Sequence, residues 1–347
     1  MKILLIDLDN IGDVVMASFL PHYLKILYPG SHLTCLVKEY SREVLSANPF
    51  IDMMTIFNPP WLGDMLDKKF SWSRTRALVK TIREGKYDLA VVVNADWRKA
   101  LIPWLARIPV RVGVDKKKAG FFLTKAVTYK YEPSRHTVDY NADLLKALGE
   151  KEPKPKPEVF ITPEAKSWAE EFLRKNDTRR DACLIGIHPG AGHPARIWPV
   201  ENYVRLINEL LTNSRCKVMV IGSNSDHSIR EIKSKINKYQ VIFVSDISVQ
   251  RMAALFQRCV CVVAQDSGPM HVATAVGTRV VALFGPSDAR RFGPYGEGHI
   301  VVKPEIDCSP CGSDPVCAKM DCWKQVTVEK VLKAVKQLTG PKPQESS

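Results

Sequence analysis

Residues 259–288 read CVCVVAQDSGPMHVATAVGTRVVALFGPSD. Val260, Val262, Val263 and Ala264 form a short apolar run that ends at Gln265 and Asp266, as expected of a strand buried in a parallel sheet. Asp266 is placed to cap a helix whose first turn is Ser267, Gly268 and Pro269. Met270 to Val276 continue that helix, and Gly277 stops it. Arg279 to Phe284 form the next strand, closed by the turn Gly285-Pro286-Ser287-Asp288. The pattern sets a helix N-terminus at the carboxyl end of a parallel strand. Its free N–H groups and its dipole favour an anion there. Ser267 and Gly268 let a ligand approach the backbone, and His271, one turn in, could reach the same ligand. On Asp-Ser-Gly alone, an ordinary strand-to-helix turn with a capping Asp is the simpler alternative.

The same alternation extends outward in both directions. Ala182 to His188, Lys217 to Ile221 and Val241 to Val244 read as strands, separated by helices over Val200–Leu211, Asp226–Ile236 and Val249–Phe256. In the first half, Lys2 to Leu8 is a strand, Asn10 to Asp13 a turn, and Val14 to Leu27 a helix interrupted at Pro21. Further strands fall at His32–Lys38, Met53–Phe57, Leu89–Val93 and Val110–Gly113. Helices are expected over 73–84, 98–106 and 136–148, a short helix over Ser41–Ala47, and a loop over Asn58–Lys69. Repeated strand–helix units predict an α/β fold with mostly parallel sheets covered on both faces. Pro153, Pro155, Pro157 and Pro163 make a stiff extended connection. We therefore expect one domain over 1–155, a second over 156–326, and a last helix from Thr327 to Leu338 leading to the tail at 347.

The D-S-G-P-M-H-x-A-x-A-x-G-T-x-V-V-A-L-F-G-P-S-D pattern closely resembles the signature of the ADP-heptose:lipopolysaccharide heptosyltransferases, glycosyltransferase family 9. The resemblance is also sharp at Gly12-Asp13 and at Gly190 to Pro199. It implies the GT-B architecture, in which two Rossmann-like doubly wound domains face a central cleft, the second binding the nucleotide sugar. In such folds the last helix often crosses back to the first domain.

Total charge and composition agree with this class. The chain has 347 residues, 45% hydrophobic and 25% charged, enough for two packed cores. Its formal charge of +13 favours anionic partners such as a phosphorylated substrate, an anionic lipid or nucleic acid. Nothing resembles a nucleic-acid motif with interleaved aromatics. No apolar run reaches the roughly 18–20 residues that span a bilayer. The N-terminus meets an acid at Asp7, so it reads as a first strand and not a secretion signal, and a cytoplasmic location is expected.

The resemblance assigns Asp13, in I-G-D-V-V, as the general base on the acceptor hydroxyl. A sugar hydroxyl is a poor nucleophile until a carboxylate takes its proton. Capping a helix is the structural alternative for this residue. Arg196 matches the basic position that contacts donor phosphate. A cation near 4 Å contributes about 4 kcal/mol at an effective dielectric of about 20, against about 0.3–1 kcal/mol from a helix end. Arg196 should thus supply more attraction than the turn. Asp226, Asp266, Ser267, Gly268 and His271 complete the donor set, with Asp226 the candidate for ribose. The family usually has a basic residue where this chain has Asp7, and many members carry a hydroxyl where it has Gly192. Asp7-Leu8-Asp9 matches the D-x-D of metal-dependent transferases, a very common chance pattern, and no catalytic metal or other cofactor is expected. Asp246 is read as a helix cap.

Cys35, Cys183, Cys216, Cys259 and Cys261 read as reduced core thiols. Cys308, Cys311, Cys317 and Cys322 form C-x2-C-x5-C-x4-C, a candidate tetrahedral site for structural Zn or Fe, with reduced or disulfide-bonded cysteines as the alternative. The resemblance implies transfer of heptose, with inversion, from ADP-L-glycero-D-manno-heptose to a phosphorylated Kdo–lipid A or heptosyl-Kdo–lipid A acceptor at the cytoplasmic face of the inner membrane, which the protein would contact peripherally. Acceptor-binding residues are not assigned. A related GT-B transferase with another sugar nucleotide or a protein acceptor is one alternative. A non-catalytic nucleotide- or nucleic-acid-binding protein is another, and steep salt dependence of binding would mark it.

Overall fold

The computed structural model describes residues 1–59, 72–94, 96–212, 216–236, 240–311, 317 and 319–340. The chain divides into two units, Met1–Phe160 and Ile161–Ser347. Most of the loop read over Asn58–Lys69 lies outside the described residues.

The first unit contains β1 (Lys2–Asp7), α1 (Ile11–Ala17), α2 (Leu20–Leu27), β2 (His32–Val37), β3 (Met53–Ile56), α3 (Trp72–Gly85), β4 (Leu89–Val92), α4 (Trp97–Leu105), β5 (Val110–Asp115), β6 (Lys125–Thr128) and α5 (Thr137–Leu148). Its sheet is six-stranded and parallel in the order β3-β2-β1-β4-β5-β6. β1 and β4 lie at its centre, so Ile3, Leu4, Leu5, Ile6, Leu89, Ala90, Val91 and Val92 are buried on both faces, and their runs are continuously apolar. Pro21 divides the first helix: α2 begins with this proline in its opening turn, where no N–H is needed. The short helix expected over Ser41–Ala47 is a 3-10 turn at Glu39–Val44.

The second unit contains α6 (Pro163–Lys175), β7 (Cys183–His188), α7 (Val200–Leu211), β8 (Cys216–Gly222), α8 (His227–Lys235), β9 (Val241–Ser245), α9 (Val249–Gln257), β10 (Cys261–Gln265), α10 (Gly268–Ala275), β11 (Arg279–Leu283), α11 (Ala289–Phe292), β12 (Ile300–Val302), α12 (Asp321–Gln325) and α13 (Val328–Thr339). Its parallel order, β12-β11-β10-β7-β8-β9, repeats the topology of the first. In each unit the first and fourth strands are neighbours, and the connections leave them in opposite directions. Such a switch point opens a crevice at the carboxyl ends of those two strands.

Several expectations are corrected. Pro163 does not belong only to the connection: Thr162 accepts from Ala165 N–H and starts α6, with Pro163 in its first turn. Ser267, not Asp266, is the N-cap residue of α10. Cys183 and Cys216 face each other in register across β7 and β8 and form a disulfide, where two reduced thiols were expected. The last helix belongs to the second unit, where α13 buries Val328, Val331, Ala334, Val335 and Leu338 in the core that also holds α7. That spacing of three and four residues gives α13 one apolar face, and the second unit's core covers it. Among the described residues no helix is long and apolar enough to cross a membrane.

Candidate active site

At the switch point of the first unit the chain leaves β1 at Asp7 and enters α1 after Asn10. Asp13 lies in the first turn of α1 and reaches back to the N–H of Asn10, as the third helical residue of a capping box does. Capping by this side chain is therefore compatible with the catalytic role expected of it. Asn10 does not use its own side chain as a cap. Its Oδ1 accepts from Lys38 Nζ at 3.1 Å and from Tyr40 Oη at 2.9 Å.

Lys99 arrives from the opposite side of the crevice. Asp96 accepts from the N–H groups of Arg98 and Lys99 at 2.9 and 3.1 Å and so begins α4. The next turn points Lys99 inward, where its Nζ lies 2.5 Å from Asp9 Oδ1 and 3.2 Å from the carbonyl of Asn94. The Lys99 side chain is only 3% exposed. Three carboxylates thus gather around one buried ammonium. Asp7 is 2% exposed, and its Oδ1, like Asp9 Oδ2, has no partner. Burial first, and then the neighbouring Asp9, hold the Asp7 carboxyl well above the usual range. Asp13 is pushed up to about 6, by burial first and then by Asp9, with Lys99, the Asn10 N–H and Lys38 opposing. A base with that affinity is ionised at neutral pH yet still takes a proton readily. The strand lacks the expected cation at position 7, and Lys99 supplies one through space.

In the second unit the crevice lies between the ends of β7 and β10. Arg196, in the loop after β7, places Nη1 3.1 Å from Asp266 Oδ2. No N–H is directed at that oxygen: Asp266 Oδ2 and Arg196 Nε are both buried without a hydrogen-bond partner. Burial raises the Asp266 carboxyl, while Arg196 and a hydrogen bond from Ser287 lower it. Ser267 bonds to the Gln265 carbonyl at 3.1 Å instead of capping α10. The Gly268 N–H is then the first donor of that helix, and Pro269 has none to offer. His271 is 5% exposed, and its neighbours Met270, Val272 and Ala273 are buried as well, so α10 is enclosed on all sides at this point.

Asp226 caps α8 through Ser228 N–H at 2.9 Å. It also lies against the turn after β7, where a Cβ on Gly190 would meet Asp226 Oδ2 at 2.4 Å, so a side chain at 190 would push Asp226 aside. Asp246 does not cap a helix. It accepts from Ser223 Oγ at 2.7 Å and from Asn224 Nδ2 at 2.6 Å, and so fixes the turn before α8. Ser248 caps α9.

What holds Arg196 in place is an amide the sequence reading used only as a strand boundary. Gln265 is fully buried. Its Oε1 accepts from Tyr203 Oη at 2.5 Å and from Trp198 N–H at 3.3 Å, and its Nε2 donates to the Pro189 carbonyl at 2.9 Å. Trp198 is itself fully buried and donates through Nε1 to the Val326 carbonyl at 2.7 Å. Trp323 Nε1 donates to the Ala195 carbonyl at 2.8 Å, one residue before the arginine. A polar residue closing a run of Val-Val-Ala was the available signal for Gln265. Nothing local announced Lys99, whose partner is ninety positions away.

The family model for glycosyltransferase family 9 (heptosyltransferase) matches residues 75–320. The chain belongs to glycosyltransferase family 9. It is 30% identical over 302 residues to lipopolysaccharide heptosyltransferase 2 of Salmonella typhimurium, covering 83% of each chain. Among solved structures, E. coli ADP-heptose lps heptosyltransferase II superposes with a TM-score of 0.79 at 25% identity, covering 98% of each chain. The family 9 glycosyl transferase of Veillonella parvula gives 0.82 at 24% identity over 97% of each. The fold is accordingly GT-B, and the chain is a glycosyltransferase.

Two measurements follow. Gln265→Leu strands the Tyr203 hydroxyl and the Pro189 carbonyl, each costing about 1–3 kcal/mol. We expect a loss of about 2–6 kcal/mol in urea unfolding, and an unchanged midpoint would remove the clamp. Turnover should rise with pH through a midpoint near 6 as Asp13 loses its proton. Lys99→Met, which deletes an opposing cation, should move that midpoint to higher pH.

Proposed function

We propose that this enzyme transfers heptose from ADP-L-glycero-D-manno-heptose to the lipopolysaccharide inner core, with Kdo–lipid A or heptosyl-Kdo–lipid A as acceptor and with inversion at the anomeric carbon. The observation that carries the reading is Asp13: a carboxylate poised near neutrality at a switch point, in a chain whose family is built on heptose transfer. The names of its relatives support the donor and the acceptor class.

In this reading Asp13 accepts the proton of the acceptor hydroxyl as its oxygen attacks the anomeric carbon. The bond to the diphosphate breaks on the opposite face, and ADP departs with the electron pair. Arg196 meets the charge that develops on the phosphate, aided by the Gly268 N–H. Its unpartnered Nε is a donor in waiting. Asp266 cannot face phosphate without repulsion. A carboxylate with a free lone pair suits a sugar hydroxyl, so its place in the donor set is beside the heptose. Asp226 and the turn it braces are assigned to the nucleoside side, with Ser267 beside the phosphates. His271, in the first turn of α10, stays in the donor set. No catalytic cofactor is part of this chemistry.

The cysteine group is proposed as a structural Zn or Fe site. Cys308 and Cys317 are near enough to Cys311 to raise its thiol further after burial, and Cys311 and Cys317 act likewise on Cys322. Among the described residues no group of three or more ligands is already set in metal-binding geometry, so the proposal concerns the thiols' chemistry and not an observed cage. A cytoplasmic, peripherally membrane-associated location goes with the acceptor.

Asp13→Asn should lower transfer by roughly 10²–10⁴-fold, while thermal stabilisation by ADP is retained and exceeds that by UDP. Normal turnover by this variant would remove Asp13 as the base, and preferential stabilisation by UDP would replace the donor. Elemental analysis of protein purified under reducing conditions should find about one Zn or Fe per chain, lost in Cys311→Ser. A metal-free, fully folded protein would leave the cysteines as plain thiols.

A further inference from the structure

One surface of the first unit carries chemistry that neither crevice uses. Trp97 and Trp104 are seven positions apart, two turns along one face of α4, and each is 43% exposed. The Trp104 ring meets Phe122 edge-on at 5.6 Å, and Phe122 meets Phe121 at 5.1 Å. Phe121 is 81% exposed, the most exposed large apolar side chain among the described residues. Between Trp104 and Lys125 the chain carries Arg107, Arg111, Lys116, Lys117, Lys118 and Lys125 against a single acid, Asp115.

This is not a loose tip. Asp115 Oδ1 accepts from Gly120 N–H at 2.9 Å. The Leu123 N–H donates to the Gly120 carbonyl at 3.1 Å, and Arg111 Nε to that of Phe122 at 2.7 Å. Ala119 is fully buried beneath the turn. Lys117 and Lys118 are held at φ of 51° and 65°, a left-handed conformation that such residues adopt only where their surroundings impose it. The fold thus fixes a protruding aromatic side chain with two exposed lysines beside it.

A rigid aromatic knob in a basic collar fits the interface of an anionic bilayer. Rings enter at the level of the headgroups, and ammonium groups stay among the phosphates. A protein partner would need a pocket for Phe121 ringed by acids. A membrane supplies both features without specific shape. We infer that the Trp104–Phe121–Phe122 cluster and Lys117–Lys118 form a docking surface for an anionic lipid membrane. The inference deepens the functional reading, on which its purpose rests, because the proposed acceptor is lipid-borne. Its evidence is the surface itself.

The test is co-sedimentation of the full chain with phosphatidylcholine vesicles, with and without phosphatidylglycerol, at low and high salt. No acceptor sugar is present, so failure here leaves heptose transfer untouched. We expect binding to the anionic vesicles that weakens with salt, and little binding to phosphatidylcholine alone. Phe121→Ser alters a side chain with few neighbours. It should reduce partitioning about tenfold with an unchanged melting temperature and unchanged transfer to a deacylated acceptor. Lys117→Glu with Lys118→Glu should reduce it by at least about 25-fold, at roughly fivefold per basic residue. Equal binding by wild type and Phe121→Ser would overturn the proposal, since diffuse charge would then suffice. So would absence of binding to every vesicle. A Phe121-dependent dimer in light scattering would assign the surface to a second copy of the chain instead.

Discussion

A single buried amide organises the second unit. Gln265 closes β10 and spends its donor and acceptor on three separate segments: the turn after β7, the loop of Arg196 and Trp198, and the start of α7 at Tyr203. Each partner is a polar group that would otherwise be buried without a hydrogen bond, so the arrangement tolerates little displacement. Trp198 packs edge-on to Tyr203 at 4.9 Å, converting the same clamp into a hydrophobic contact. Arg196 lies between Ala195 and Trp198, both of which this network holds.

The two units solve a similar problem with the same topology. At each switch point a basic side chain meets an acid across the crevice: Lys99 with Asp9 in the first, Arg196 with Asp266 in the second. The pairs differ in quality. Lys99 is tightly bonded and almost fully buried, which suits a fixed counter-charge for a proton-transfer site. Arg196 is 30% exposed and poorly aligned with its acid, which suits the phosphate-binding role proposed for it. Burial thus separates a fixed counter-charge from a side chain with room to turn.

Most of the fold was legible because parallel strands buried on both faces leave continuous apolar runs, as in Ile3–Ile6 and Val262–Ala264, and because glycine and proline mark their ends. Position 163 was misread because Thr-Pro can end an extended segment or begin a helix, and the amphipathic face of α6 shows only further on. The candidate site was legible where its residues are neighbours in sequence, as at Asp266 to Gly268, and its proposed base and phosphate ligand, Asp13 and Arg196, through the family pattern. Lys99 and Trp323 were not, since their roles depend on partners brought together only by strand order.

The cysteine segment has a mechanical position that its spacing did not suggest. Ser309 Oγ holds the Gly285 carbonyl at 2.7 Å, and Cys311 N–H the Pro286 carbonyl at 2.9 Å. At its far end Cys322 precedes Trp323, whose ring leaves room only for glycine at 285 and whose indole N–H grips the Ala195 carbonyl. The described ends of the segment therefore tie down the Gly285–Pro286 turn and the loop before Arg196. Cys308, Cys311 and Cys317 are exposed along it. Alkylating reagents that never enter the crevice can reach these thiols and strain both loops from behind, so loss of activity on thiol modification would not by itself place a cysteine in the chemistry.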